Sequence, residues 1–308
     1  MSGSAGIAQA SYRRLGGIDQ WVMIRGERTT NPPLILLHGG PGLGETAFFR
    51  HSLAPLERRF TLVLWDQRGT GKSFNRAIPR SSMTVERFIA DLDELVEIVR
   101  RELAAEQVVL FGHSWGSALG PLYAVRFPDK VSAYVGCAQV GDWAAGETAS
   151  YADALAEAQR RGHTRALAKL REIGPPPHTA EQLWAERMVV ARLEGRMSPR
   201  SLWRTARALG PSLLETPAAM RAFRWTLDAM WDEVSQLNLH ELAPALTMPA
   251  SFLLGRQDHW VPPRVSMAYI ERLEAPSKQV VWFEHSRHEP FVDEPAAFVA
   301  AMAQIRLR

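Results

Sequence analysis

The stretch Val108-Val109-Leu110-Phe111-Gly112-His113-Ser114-Trp115-Gly116-Ser117-Ala118-Leu119 decides the fold. Its first four residues form an apolar run long enough for a buried strand and too short for a helix. Gly112-His113-Ser114-Trp115-Gly116 then fits G-x-S-x-G. Beyond it, Ala118, Leu119, Leu122, Tyr123 and Val125 recur at helical spacing, and the helix is expected to fade near Pro128. Strand, sharp turn and helix are the context in which this motif presents a serine hydroxyl at the carboxyl end of a strand. Glycine suits positions 112 and 116, where a Cβ would meet backbone passing close by. The N–H of Trp115, at the helix start, is placed to face an oxyanion.

The pattern repeats on either side of this stretch. Pro33–Leu37 and Thr61–Trp65 are continuous apolar runs, the mark of strands covered on both faces. Tyr12–Leu15 and Trp21–Arg25 read as an edge hairpin around Gly16-Gly17, preceded by a loose tail over residues 1–10. From Thr84, the residues Val85, Phe88, Ile89, Leu92, Leu95, Val96, Val99 and Leu103 make one helical stripe, with Ser81, Ser82 or Thr84 as its cap. Val131–Gly136, Ala250–Leu254 and Gln279–Phe283 read as further strands, with helices near 264–273 and 295–305. Strands alternating with helices predict an α/β fold with a mostly parallel, doubly wound sheet and ligands at the strand carboxyl ends.

The alternation stops between residues 141 and 240, where only helical periodicity is present. Gly174-Pro175-Pro176-Pro177 and Gly210-Pro211 interrupt it. This segment holds five of the ten tryptophans and reads as a helical cap, inserted between core segments 1–140 and 241–308.

A chain of 308 residues, 46% hydrophobic and 22% charged, has the composition of a globular protein with a full core. No apolar run approaches the roughly 20 residues of a membrane span, and the first ten residues lack the basic and apolar regions of a signal peptide. One cysteine, Cys137, permits no internal disulfide and suits a reducing compartment; the expected location is cytoplasmic. Net charge is +3, with only four lysines among 36 basic residues and no compact basic block, which argues against a nucleic-acid or membrane-surface partner. No Cys/His cluster has zinc spacing, and no cofactor is expected. The sequence does not fix the oligomeric state.

A serine hydroxyl needs a base to take its proton, and the base needs an acid to orient it. Asp258 follows the strand Ala250–Leu254 in Gly255-Arg256-Gln257-Asp258, on the same sheet edge as Ser114; Asp142 is the rival acid. Among nine histidines, His288 lies after the last strand and after the acid, with His285 as runner-up. Ser114, Asp258 and His288 therefore form the expected triad, in the chain order Ser, Asp, His. The glycines of His38-Gly39-Gly40-Pro41 let backbone approach a ligand, making Gly40 N–H the expected oxyanion partner of Trp115 N–H. His38 reads as a loop-orienting residue.

Asp66-Gln67-Arg68-Gly69-Thr70-Gly71-Lys72-Ser73 lacks the spacing of a phosphate loop and reads instead as a buried Asp–Arg corner. The missing G-x-G-x-x-G argues against dinucleotide binding. Arg192, Arg196, Arg200 and Arg204, four apart, read as a solvated helix face, and Cys137 as a packing residue.

Together, His38-Gly39-Gly40-Pro41-Gly42, the Asp66–Ser73 loop, Gly112–Ser117, Asp258 with Pro262-Pro263, and His288–Pro295 resemble the α/β-hydrolase superfamily, and within it the proline iminopeptidase-like serine hydrolases. The resemblance implies an α/β-hydrolase fold with an eight-stranded sheet and a helical cap, the same triad and oxyanion donors, and a small-molecule or short-peptide substrate. The sequence departs from that group at the elbow, where Gly-Gly-Ser-Trp-Gly is usual and Gly112-His113-Ser114-Trp115-Gly116 stands here, a form common among esterases and lactonases. Iminopeptidases of the group also set cap glutamates against the substrate amine near Trp-x-x-Trp-Glu. Here the segments are Trp184-Ala185-Glu186 and Trp231-Asp232-Glu233, so Gly39, Trp143, Trp184, Glu186, Trp231 and Glu233 are the candidate substrate contacts. The expected function is that of a serine hydrolase releasing an N-terminal residue or small amide. Its alternatives are a carboxylesterase or lactonase and, in another class, a non-hydrolytic binding module that keeps the triad. An epoxide hydrolase or haloalkane dehalogenase needs an aspartate where Ser114 stands.

Overall fold

Strands that run predominantly apolar, without polar alternation, must be covered on both faces, and five such strands build the centre of the sheet. A computed structural model describes residues 6–199, 203, 206 and 216–308. The strands are β1 (Ile7–Leu15), β2 (Ile18–Gly26), β3 (Pro33–Leu37), β4 (Thr61–Trp65), β5 (Val108–His113), β6 (Val131–Cys137), β7 (Ala250–Gly255) and β8 (Lys278–Phe283). They form one eight-stranded sheet in the order β1-β2-β4-β3-β5-β6-β7-β8. β2 pairs antiparallel with β1 and β4, and the pairs from β4 to β8 are parallel. Every residue of β3 through β7 is buried. The two-residue period sends Ile35 and Leu37 into one core and Leu34 and Leu36 into the other, on opposite sides of the sheet.

The edge hairpin turns at Gly16-Gly17 as expected, but β1 starts at Ile7, so residues 7–10 are strand and not tail. Those residues lie on an exposed edge, where burial imposes no alternation for the sequence to reveal.

Among the described residues the α-helices are α1 (Thr46–Ser52), α2 (Val85–Glu102), α3 (Trp115–Arg126), α4 (Trp143–Arg160), α5 (Thr164–Ile173), α6 (Ala180–Leu193), α7 (Thr216–Val234), α8 (Leu239–Leu242), α9 (Pro263–Arg272), α10 (Pro290–Asp293) and α11 (Pro295–Met302). Of the three possible caps for α2, Thr84 serves, its hydroxyl accepting from Arg87 N–H at 3.2 Å. α4 to α8 occupy the interval between β6 and β7, and the proline run after Gly174 separates α5 from α6. Gly210-Pro211, Arg200 and Arg204 lie outside the described residues. Among the described residues no helix is long and apolar enough to cross a membrane.

Candidate active site

The strand-to-helix junction after β5 holds Ser114 at φ 53°, ψ −117°, a conformation that non-glycine residues rarely adopt. Close packing enforces it. A Cβ on Gly116 would stand 2.0 Å from the carbonyl oxygen of Leu37, and one on Gly112 would stand 2.3 Å from that of Gly116. Ser117 Oγ donates to the Ser114 carbonyl at 2.6 Å and accepts from Val140 N–H at 2.9 Å, tying the turn to the end of β6.

Asp258 and His288 arrive from the loops after β7 and β8. His288 Nδ1 lies 2.8 Å from Asp258 Oδ2. Asp258 Oδ1 accepts from Trp260 N–H and Val261 N–H at 2.8 and 3.0 Å. Burial alone would push the Asp258 carboxyl up; the facing His288 ring and these donors outweigh it and hold the group below the usual carboxylate range. Trp260 lies against the other side of the base, its ring 5.2 Å from that of His288. Of the rivals, Asp142 caps α4 by accepting from Ala145 N–H at 3.0 Å, and His285 is exposed.

Ser114 and His288 line one cavity of about 140 Å³, with Gly39, Gly40, Trp143, Trp184 and Glu147 among its other walls. That is close to the ~150 Å³ of a cavity that takes up benzene, so the space fits one ring-sized group. Among the described residues Ser114 Oγ makes no hydrogen bond, to His288 or any other group. Catalytic contacts of this kind are often long until substrate is bound. The N–H groups of Gly40 and Trp115 are likewise without partners among the described residues, whereas Gly39 N–H donates to Glu45 Oε2 at 2.7 Å. Trp115 is fixed from behind, its Nε1–H donating to Gln67 Oε1 at 3.0 Å. Gln67 N–H in turn donates to His38 Nε2 at 3.1 Å, and burial keeps the His38 pKa low, as suits that accepting role.

The Asp66–Ser73 loop is a structural corner, with a different pairing from the one its sequence suggests. Arg68 is 1% exposed and binds Asp91 of α2 through two bonds of 2.8 and 3.1 Å. Asp66 instead accepts from Thr46 Oγ1 and from Lys72 N–H.

The cap candidates divide. Trp143 and Trp184 face the cavity with Leu183, Phe223 and Leu227. Glu186, Trp231 and Glu233 do not line it. Glu186 is fully buried on Arg187 and Ser150, Trp231 donates through Nε1 to the His178 carbonyl, and Glu233 accepts from Val85 N–H at the start of α2. Glu45, Asp142 and Glu147 also reach the wall; Glu45 is committed to His113 and Asp142 caps α4, while Glu147 lies one turn beyond Trp143 on α4. Arg187 donates to Glu147 and Glu186; among the described residues Glu147 Oε2 has no partner at ordinary hydrogen-bond geometry, and the Trp143 indole beside it helps hold the carboxyl down against burial. Burial raises the Glu147 pKa to about 7; Arg187 opposes that rise and the like charge of Glu186 adds to it. Donor atoms of Glu147, Glu186 and His178 lie within 4.8 Å of one another. Arg187 already donates to both carboxylates, and a dication would have to displace it.

Arg196 is not on a solvated face. It pairs with Glu194 and Glu289 and lies 5.1 Å over the Trp260 ring, while Arg192 is exposed. Cys137 is buried, and burial pushes its thiol well up, in keeping with a packing role.

Sequence reading missed Glu45, Glu147, Arg187 and Trp260. Glu45 is a lone acid in a glycine-rich loop, with no spacing signal. Glu147 had one, since Trp143, Glu147, Ser150 and Tyr151 share a face of α4.

A family model described as alpha/beta hydrolase fold matches residues 32–295. The probable aminopeptidase YbaC of Bacillus subtilis (strain 168) is 30% identical over 297 residues, which cover 94% of this chain and 93% of that protein. The proline iminopeptidase of Neisseria gonorrhoeae is 37% identical over 112 residues, only 35% of this chain and 34% of its own length. The solved proline iminopeptidase of Mycobacterium smegmatis superposes with a TM-score of 0.69 at 20% identity, covering 96% of this chain and 97% of its own. Epoxide hydrolase A of Mycobacterium thermoresistibile gives 0.62 at 21% identity, covering 98% and 100%. At such identities the structural likeness speaks for the fold alone.

Proposed function

Since this chain belongs to the alpha/beta hydrolase fold family and is a hydrolase, we propose that it is a serine hydrolase with Ser114 as nucleophile, His288 as base and Asp258 as the acid that orients it. The observation that carries this reading is the His288–Asp258 hydrogen bond of 2.8 Å in the wall of the cavity that also holds Ser114. With Nδ1–H given to Asp258, His288 Nε2 is left to take the Ser114 proton as Oγ attacks a carbonyl carbon. The N–H groups of Gly40 and Trp115 receive the oxyanion; removing one such donor typically costs about 3–4 kcal/mol of transition-state stabilisation. The imidazolium then protonates the leaving group, and water releases the acyl-enzyme by the same route.

The substrate reading is an aminopeptidase acting on a short substrate with a free N-terminal amine. Glu147 supports it, as a cavity carboxylate with one unpartnered oxygen. A second reading, an esterase, is favoured by Arg187, which already neutralises Glu147 and so competes with an ammonium. Labelling with a fluorophosphonate tests the nucleophile: an adduct on Ser114 that Ser114→Ala abolishes is expected, and no adduct would leave a binding module. Paired assays of a proline arylamide, its N-acetyl derivative and short aryl esters test the substrate. Cleavage of the free amine alone supports the aminopeptidase; cleavage of esters alone favours the second reading.

A further inference from the structure

His113, directly before the nucleophile, has an acceptor at each ring nitrogen. Nδ1 faces both oxygens of Glu45 at 2.9 Å, and Nε2 faces the carbonyl oxygen of His288 at 3.0 Å. A neutral imidazole has one N–H and would set a lone pair against one of these oxygens. With Glu45 ionised, its pKa held down against burial by the facing His113 ring and the Gly39 N–H, only the doubly protonated ring satisfies both. Glu45 Oε2 also accepts from Gly39 N–H at 2.7 Å. A continuous hydrogen-bonded path therefore runs from the backbone beside Gly40, through Glu45 and His113, to the backbone of His288. The path is sealed, with Glu45 5% and His113 1% exposed.

We infer that His113 is a positioning residue: as an imidazolium it ties the oxyanion loop to the loop carrying the base, and its deprotonation sets an alkaline limit on turnover. The inference rests on the roles proposed for Ser114 and His288. Loss of the proton would leave Nδ1–H on the stronger acceptor, Glu45, and turn the bare Nε2 against the His288 carbonyl. The base would then lose its backbone anchor while keeping Asp258.

The groups packed around His113 agree with this charge state. Burial pulls the pKa down; Glu45, before α1, and Glu289, before α10, outweigh it and bring it up to about 9. His38, just after β3, would oppose this charge if protonated, but burial keeps its own pKa low and its Nε2 accepts from Gln67 N–H. The His288 ring lies 4.8 Å away with Asp258 behind it, Cys137 is the register partner on β6, and Phe291 packs edge-on at 5.1 Å.

The test pairs spectroscopy with kinetics. In protein labelled with ¹⁵N-histidine, with signals assigned through His113→Gln, His113 is expected to show two N–H protons at pH 7 and to titrate near pH 9. A single N–H, or a midpoint at or below the ordinary 6.5, overturns the inference. On an ester without an amine, wild-type kcat should fall through the same midpoint. His113→Gln should lower kcat roughly tenfold to a hundredfold, the scale of a slight misplacement of reacting groups, with KM little changed and the alkaline limb gone. Wild-type kcat and limb in that variant also overturn it. Glu45→Gln is the second handle, since it should move the His113 midpoint and the kinetic limb down together; a limb that stays while the midpoint moves again refutes the role. Failure of Ser114 to label would sink the serine-nucleophile reading instead, and leaves the His113 titration readable on its own.

Discussion

His288 Nδ1 stands 2.8 Å from Asp258 Oδ2, and both side chains are sealed from solvent, at 2% and 3% exposure. An acid so placed fixes the tautomer of the base. Asp258→Asn is expected to preserve the fold and lower kcat by roughly a thousandfold or more, because an amide that donates to Nδ1 puts the proton on the wrong nitrogen. Steady-state kinetics beside a circular dichroism spectrum check this. A variant within tenfold of wild type would remove Asp258 from the mechanism.

The elbow is fixed by backbone contact, so it should be intolerant of a single methyl. Gly116→Ala would place Cβ 2.0 Å from the Leu37 carbonyl oxygen, and that backbone belongs to a fully buried strand. The strand cannot yield without disturbing both cores. The expected result is a loss of about 1–3 kcal/mol in urea unfolding, the usual cost of overpacking. Ser114 labelling should also slow, since β3 and the turn must move apart.

The buried Arg68–Asp91 pair does not line the cavity and serves the fold. Asp91 accepts from Arg68, from Gln20 Nε2 at 2.6 Å and from Arg87 Nε at 2.8 Å. Asp91→Ala strands the buried guanidinium of Arg68, and loss of one partner of such a pair costs about 3–5 kcal/mol. Chemical denaturation should show that loss. A cost below 1 kcal/mol would mean that solvent reaches Arg68.

How legible this was in the sequence differed from place to place. The central strands announced themselves because a strand covered on both faces has no freedom to be polar, as at Pro33–Leu37. The elbow was legible because Gly112 and Gly116 answer local contacts within a few residues of Ser114. Asp258 and His288 could be placed from the strand ends they follow. Arg68 shows the limit: its acid is Asp91, on a helix that no local spacing connects to the loop, and not the neighbouring Asp66. The Glu45–His113 pair is of the same kind, spanning 68 residues. In the segment between β6 and β7, the tryptophans mark apolar faces without saying which face meets the cavity: Trp143 and Trp231 read alike in sequence and pack edge to face at 6.2 Å, yet of the two Trp143 lines the cavity and Trp231 binds the His178 carbonyl.

Glu147 offers the sharpest separation of the two substrate readings. Its pKa of about 7 means that the carboxyl is neutral below pH 7 and an anion above it. A substrate α-amine has its pKa at about 7.7–8.0 and is a cation below that. Attraction therefore requires pH above the first value and below the second. For a free-amine arylamide, kcat/KM should rise through pH 7 and decline near pH 8, with the rise carried by KM. For esters without an amine, KM should show neither limb. Glu147→Gln should raise KM for the amine substrate at least tenfold, equivalent to about 1.4 kcal/mol, and leave ester KM near wild type. Equal effects on both substrates would mean that Glu147 only shapes the cavity wall, and the esterase reading would then stand in place of the aminopeptidase.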